Sequence, residues 1–116
     1  MGSIIAQKSL DFGVRIVKAT RYLKSEKQEY ELSNQLLRSG TSIGANVAEA
    51  KYAQSDADFV SKLKIALKEA SETQYWLMLI KRTEILSKEE ADSLIHDVNE
   101  LIKILISIIN TKQKQR

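Results

Sequence analysis

The sequence predicts an all-α protein, a single domain over residues 1–116 that forms an antiparallel, up-down-up-down four-helix bundle. The chain contains no proline and only 4 glycines, so little in it interrupts helix formation. Apolar residues recur at intervals of three and four in each of four segments, which is the spacing of one helix face. Short polar stretches separate these segments, and short connections favour antiparallel neighbours.

The first helix is predicted over residues 4–24 and carries two apolar lines. One line consists of Phe12, Ile16, Ala19 and Leu23, and the other consists of Leu10, Val14 and Val17. Together the two lines make a stripe wide enough to face the core of a bundle. We therefore expect both lines to pack against the other helices.

The second helix is predicted over residues 33–53, with Ser33 as its N-cap. Gly40, Gly44 and Ala48 form a line of small residues along it. A glycine inside a helix costs about 1 kcal/mol relative to alanine. Such a cost is usually tolerated where a neighbouring backbone must approach closely, so we expect tight helix packing at these positions.

A polar ladder runs along the same helix at steps of four, four and three; it consists of Arg38, Ser42, Asn46 and Glu49. One interpretation is a structural network that bonds to residues of the third helix such as Lys64, Glu69 or Glu72. The other is a ligand site. Because buried polar groups must be paired, we favour the structural network.

The third helix is predicted over residues 56–82 and the fourth over residues 88–112. Ser55 followed by Asp58, and Ser87 followed by Glu90, have the spacing of capping boxes. The third helix shows a heptad pattern made by Phe59, Leu63, Ala66, Ala70, Thr73, Leu77 and Ile80. The second half of the fourth helix is apolar nearly all round, which predicts a subunit interface that involves this helix.

The sequence lacks the motifs of known catalytic and metal sites. There is no cysteine, and the single histidine, His96, has serine at position 93, so the Glu-x-x-His pairs of a di-iron site and the usual zinc ligands are lacking. No serine lies in a nucleophile-elbow motif, and any triad would have to use His96. No phosphate-binding glycine loop is present. We therefore expect no enzyme activity, no cofactor and no metal.

We also expect a cytoplasmic protein without a membrane partner. The absence of cysteine fits a reducing compartment. The start of the chain lacks the pattern of a signal peptide, and no apolar run is long enough to span a bilayer.

Basic residues make up the candidate nucleic-acid surface. The net charge is +3, and Asp11 is the only acid within the predicted first helix. The candidate residues are Lys8, Arg15, Lys18, Arg21, Lys24, Lys62, Lys64, Lys68, Lys81 and Arg82. These residues form either a solvated outer surface or a surface that contacts phosphates.

Residues 37–50, LRSGTSIGANVAEA, resemble the signature of a bacterial four-helix bundle family named for 23S rRNA intervening sequences. Residues 59–73, FVSKLKIALKEASET, and residues 75–77, YWL, resemble the third helix of that family. The core of the resemblance is the polar ladder. Many relatives have Pro-Ser where this chain has Gly44-Ala45, and glycine where it has Ala50, which indicates a subfamily.

The resemblance implies that the gene is an open reading frame inside an insertion in large-subunit ribosomal RNA, or a relative of such a reading frame located elsewhere. It further implies that the protein is a homopentameric barrel with a central channel. It also extends to the accessory variability determinant of diversity-generating retroelements, a basic pentamer that binds nucleic acid and a reverse transcriptase. Two hypotheses follow. The first is an oligomeric protein that binds structured RNA, or DNA, through phosphates; the second is a structural scaffold whose nucleic-acid binding is incidental.

Overall fold

The computed structural model describes residues 2–115 and contains four α-helices in that range. The helices are α1 (Gly2–Glu26), α2 (Glu31–Ala50), α3 (Asp56–Arg82) and α4 (Lys88–Lys114). The predicted all-α four-helix bundle is confirmed. Met1 and Arg116, which the predicted domain includes, lie outside the described residues.

The helices follow one another around a bundle of 48 × 20 × 19 Å, so that each packs beside the next in the chain and α4 returns beside α1. The α1–α4 contact is the loosest of the four. Neighbours are antiparallel: Arg38 contacts Glu69 and Glu72, whereas Glu49, further along α2, contacts Lys62, earlier in α3.

The core contains the residues that the heptad pattern of α3 predicts. Leu63, Ala66, Ala70, Thr73, Leu77 and Ile80 are buried, and Phe59 is half-buried against them. The hydroxyl group of Thr73 donates to the buried hydroxyl oxygen of Ser39 at 2.9 Å. Thr73 Oγ1 also lies 2.8 Å from the carbonyl oxygen of Glu69, so both buried hydroxyl groups have hydrogen-bond partners.

Two of the three predicted helix caps are confirmed. Ser55 Oγ accepts from the Asp58 N–H at 3.0 Å, and Ser87 Oγ accepts from the Glu90 N–H at 3.1 Å. The Ser33 cap is wrong because α2 begins at Glu31. Ser33 is buried inside the helix and donates to the carbonyl oxygen of Glu29 at 2.6 Å.

The small residues of α2 allow the close approach to α1 that the sequence predicts. A Cβ added at Gly44 would lie 3.3 Å from the backbone oxygen of Ser9, and one added at Gly40 would lie 2.9 Å from Ile16 Cγ1. The first contact is with backbone, so the neighbour has little freedom to move away. Gly44 therefore allows α1 to pack closely on α2, and an alanine there would require α1 to shift by a few tenths of an ångström.

The expectation that both apolar lines of α1 face the core is wrong. Phe12, Ile16, Ala19 and Leu23 are buried, but Leu10 is 63% exposed and Val14 is 47% exposed. Helix α1 packs closely against α2 and loosely against α4, so its neighbours cover only one of the two lines. The second line therefore lies on the surface.

Helix α4 exposes less apolar surface than the sequence suggests. Leu101, Leu105 and Ile109 are buried, and in its apolar second half only Ile106 is an exposed large hydrophobic residue among those described. The flanking isoleucines are half-buried because α1 and α3 cover them from two sides. The apolar surface that remains open lies mainly on α1.

Candidate nucleic-acid interface

Two of the ten candidate cations hold α1 against α4. Lys8 Nζ lies 3.3 Å from Glu100 Oε2, and Arg15 lies 2.6 Å from Asp97 Oδ2 and 3.2 Å from Glu90 Oε2. Each bond crosses the loosest helix contact of the bundle. Lys8 and Arg15 are thus neutralised by acids of their own chain, and their primary contacts are structural.

Lys62 and Lys81 are also paired within the chain. Lys62 Nζ lies 3.2 Å from Glu49 Oε1, and Lys81 Nζ lies 2.6 Å from Asp92 Oδ1. Asp92 accepts from Lys88 as well, at 2.9 Å. The hydrogen bonds from Lys81 and Lys88 hold the pKa of the Asp92 carboxyl group below its usual value. The bond to Asp92 in turn raises the pKa of Lys88.

The other six candidates form no ion pair with any residue from 2 to 115. They fall into two groups: Lys18, Arg21 and Lys24 on α1, and Lys64, Lys68 and Arg82 on α3. Helices α1 and α3 are diagonal in the bundle and do not contact each other. The candidates therefore form two separate basic surfaces on one subunit rather than one patch.

Tyr75 is a residue of the α3 surface that the sequence interpretation missed. It is 59% exposed and lies seven residues after Lys68 and seven before Arg82. Residues at this spacing share one line of a helix that follows a heptad repeat. An aromatic ring between two cations on an exposed line can stack on a base while the cations contact phosphates. The seven-residue spacing of Lys68, Tyr75 and Arg82 is the feature of the sequence that could have identified Tyr75 as part of this surface.

The polar ladder joins α2 to α3 only through its charged ends. Arg38 donates to Glu69 Oε1 at 3.2 Å and to Glu72 Oε2, and Glu49 pairs with Lys62 at 3.2 Å. Ser42 and Asn46 instead donate to carbonyl oxygens of their own helix, at 2.6 and 2.9 Å. Of the α3 residues that the sequence suggested as partners, Glu69 and Glu72 bond to the ladder, whereas Lys64 does not and Lys62 pairs with Glu49 in its place.

Arg38 also affects the charge of the α3 surface. It binds the carboxylates of Glu69 and Glu72, which lie between Lys68 and Tyr75 along α3. Glu72 additionally accepts from the indole N–H of Trp76 at 2.9 Å. Because these acids are bonded on the side of α3 that faces α2, they are turned away from the exposed basic line.

No group of three or more histidine, cysteine, aspartate or glutamate residues in the described part of the chain is arranged to hold a metal ion. Among the helices described, none is long and apolar enough to cross a membrane.

The chain is similar to known proteins both in sequence and in fold. The model of the family described as 23S rRNA-intervening sequence protein matches residues 2–107. A crystal structure from Bacteroides thetaiotaomicron VPI-5482, described as a protein with unknown function from the S23 ribosomal protein family, is 55% identical. The match covers 90% of this chain and 97% of that chain, with a TM-score of 0.89. A search of curated proteins gave no match.

Proposed function

This chain belongs to the 23S rRNA-intervening sequence protein family, and from that premise we propose that it is a non-enzymatic, homo-oligomeric accessory protein that binds structured RNA. Binding is to phosphates, without sequence readout, and the protein acts in the cytoplasm in connection with 23S rRNA intervening sequences. The observation that carries the proposal is the set of six cations without an acidic partner among the described residues.

Assembly supplies the affinity that one subunit lacks. Three cations on α1 and three on α3 make two weak sites, and they face away from each other. In a homo-oligomer, which the family resemblance suggests is a pentamer, each surface is repeated around the assembly. Linked weak sites bind a long ligand far more tightly than one site does. The affinity therefore depends both on salt and on the oligomer.

The test compares two triple variants with the same change in net charge. Lys18→Gln, Arg21→Gln and Lys24→Gln remove the α1 group, whereas Lys27→Gln, Lys103→Gln and Lys114→Gln remove three cations outside the candidate set. Binding to an RNA hairpin is followed by fluorescence anisotropy between about 50 and 200 mM salt. Affinity falls as salt rises, and we expect this fall to be less steep in the first variant. The slope of log affinity against log salt should lose about 1 in magnitude for each phosphate that the variant no longer binds. The control should change the slope less.

Equal reductions in the two variants would show that only net charge matters and would contradict the assigned surface. Absence of RNA binding even at the lowest salt would contradict the function. Two other ligands are compared in the same assay. One is a duplex DNA of equal length, and the other is a purified reverse transcriptase of the kind found in related retroelements.

The second candidate function is a structural scaffold, and one observation favours it. Four of the ten predicted cations, Lys8, Arg15, Lys62 and Lys81, are already paired with acids of the same chain. The remaining positive charge on a subunit is modest. A scaffold predicts a stable oligomer whose mass and melting temperature do not change when RNA is added, and whose incidental RNA binding falls equally in the two triple variants.

A further inference from the structure

A continuous line of exposed positions runs along the outer side of α3. Its members recur at alternating steps of three and four residues, which is the spacing of a single line on a helix. This line, which we call the α3 ridge, consists of Ser61, Lys64, Lys68, Ser71, Tyr75, Met78 and Arg82. None of these residues is acidic, and its cations form no ion pair with any residue from 2 to 115. The α3 ridge is therefore a positive surface that contains an aromatic ring.

The two acids in the middle of α3 are bonded beside this ridge rather than free on it. Glu72 Oε2 accepts from the indole N–H of Trp76 at 2.9 Å and also accepts from Arg38. Glu69 Oε1 accepts from Arg38 at 3.2 Å. The positive guanidinium group offsets the charge of both carboxylates, so they repel an approaching phosphate less than free carboxylates would. The bond to Glu72 also holds the Trp76 ring in one orientation.

The Tyr75 ring is supported on one side and open on another. It lies edge to face with the Trp76 ring, with the two centroids 5.2 Å apart and the ring planes at 70°. Such a pair uses at most one face of the Tyr75 ring, and the residue is 59% exposed. Because Trp76 is itself held by Glu72, the Tyr75 ring loses less freedom on binding a ligand than an unsupported surface ring would.

The other three of the four tyrosines lie in less suitable surroundings. Tyr22 lines a cavity together with the carboxylate-bearing Glu90. Tyr30 lies between two glutamates in the chain. Tyr52 lies in the turn after α2, where the ammonium group of the preceding lysine is 5.7 Å from its ring centroid. Tyr75 instead lies on an acid-free line of one helix, with cations on both sides.

We propose that the α3 ridge binds unpaired nucleotides of RNA, with one base stacked on Tyr75 and the neighbouring phosphates bound by Lys68 and Arg82. The inference rests on the proposed function and names the part of the RNA that this surface binds. By the helical rise of about 1.5 Å per residue, each of the two cations lies about 10 Å from Tyr75 along the axis. Their long side chains can reach phosphates on either side of the stacked base. Met78, one turn after Tyr75, is 48% exposed and adds apolar surface for the base or the ribose.

Base pairing decides whether an RNA can use the whole ridge. Inside a duplex each base is stacked on both faces by its neighbours, so neither face is free for an aromatic side chain. A loop, a bulge or a single-stranded end presents free faces, and aromatic rings stack on them with little regard to base identity. Duplex RNA can still contact the cations through its phosphates. The ridge therefore adds a preference for unpaired segments without adding a preference for sequence.

Trp76 provides a direct test, because it is the single tryptophan of the chain and its ring contacts that of Tyr75. Its fluorescence is followed while the wild-type protein is titrated with a short oligouridylate, which does not pair with itself. A blunt-ended RNA duplex of the same length is titrated in parallel, and both affinities are measured by anisotropy. We expect the oligouridylate to change the Trp76 emission on binding and the duplex to bind with a smaller change.

Two substitutions at Tyr75 separate the aromatic ring from its exposed position. Tyr75→Leu removes the ring, and we expect it to weaken oligouridylate binding on the order of 10- to 100-fold, the range for the loss of one stacked base. Its affinity for the duplex should match that of the wild type. Tyr75→Phe keeps the ring and should bind both RNAs as the wild type does.

Tyr30→Leu is the matched control. Tyr30 is 56% exposed, and its side chain forms no capping hydrogen bond. The substitution should change neither affinity. Equal weakening of oligouridylate binding by Tyr30→Leu and Tyr75→Leu would overturn the stacking site, as would equal weakening of oligouridylate and duplex binding by Tyr75→Leu.

The same measurements distinguish failure of the inference from failure of the proposed function. Unchanged oligouridylate affinity in Tyr75→Leu, with both RNAs bound by the wild type, would overturn the stacking site and leave RNA binding intact. No binding of either RNA by the folded wild type at low salt would overturn the function and the inference together. A DNA oligonucleotide of equal length that binds more tightly than the oligouridylate would overturn RNA as the source of the nucleotides.

Discussion

Arg38 is the single residue that does most to join α2 to α3 at the surface. Its guanidinium group bonds to Glu69 and Glu72, and Glu69 is only 16% exposed. Arg38→Ala leaves both carboxylates without this partner, whereas Asn46→Ala removes a bond within one helix. We expect Arg38→Ala to lower the free energy of unfolding by about 1 kcal/mol, as for a well-placed surface ion pair.

Asn46→Ala should change stability less than Arg38→Ala, because alanine recovers helix propensity. Urea unfolding of the two variants measures the difference. A larger destabilisation by Asn46→Ala than by Arg38→Ala would contradict the structural account of the ladder. Unchanged stability of Asn46→Ala with loss of RNA binding would instead favour a ligand site at Asn46.

The Asp92 carboxyl group makes the stability of the bundle depend on pH in the acidic range. Its pKa is held below the usual 3.8 by hydrogen bonds from Lys81 and Lys88. A carboxyl group whose pKa is lower in the folded state stabilises the fold above the unfolded pKa, and this contribution is lost as pH falls through the folded value. It is therefore present at neutral pH and disappears below about pH 4.

Asp92→Asn removes that titrating group and nearly preserves its shape. We expect the variant to be less stable than the wild type at neutral pH and to match it in strong acid. Urea midpoints measured from neutral to acid pH test this expectation. A constant difference between the two proteins at every pH would show that Asp92 does not contribute through its charge.

At the scale of the helix, two glycines of the α1–α2 pair should respond differently to alanine. Nothing lies within 4 Å of a Cβ added at Gly13, whereas one added at Gly44 would lie 3.3 Å from the backbone oxygen of Ser9. We expect Gly13→Ala to stabilise the chain by up to about 1 kcal/mol through helix propensity. Gly44→Ala should stabilise less or destabilise, because α1 must shift. Thermal unfolding of both variants tests this contrast, and equal stabilisation would contradict the close approach.

The helices also show which features a sequence can predict. The heptad of α3 and the caps at Ser55 and Ser87 depend on neighbours in the chain, so local patterns were sufficient. The exposure of Leu10 and Val14 depends on how much of α1 is covered by α2 and α4. The periodicity of apolar residues in one helix does not predict this coverage. Ser33 was misassigned because the bond that it forms with Glu29 competes with a capping role.

The candidate site was predictable as a set of residues but not as an arrangement. The sequence identifies ten cations, yet ion pairs between residues as far apart as Arg15 and Asp97 form only when the helices pack. Four cations were neutralised in this way, and the remaining six were divided between diagonal helices. The sequence alone showed neither the acids that bind these cations nor the separation of the two surfaces.

For the whole molecule, assembly and RNA affinity should be coupled. Leu10→Asn and Val14→Asn together place polar amides on the exposed apolar line of α1, where most of the open apolar surface of the subunit lies, and leave the net charge at +3. Both positions are exposed in the single subunit, so the helix content should not change. We expect the mass from light scattering to fall to that of one subunit. RNA affinity should then fall by a factor on the order of 10² to 10⁴, the range by which linked sites exceed single ones.

The matched control for this variant is Gln35→Asn, a change at an exposed position of α2 away from the apolar line of α1. It should preserve mass and affinity. A monomeric double variant that binds RNA as tightly as the wild type would show that one subunit is sufficient, and the argument from repeated weak sites would fail. A fall in affinity without a fall in mass would place Leu10 and Val14 beside the RNA contact of Lys18 and Arg21, which line the same groove, and would contradict the coupling.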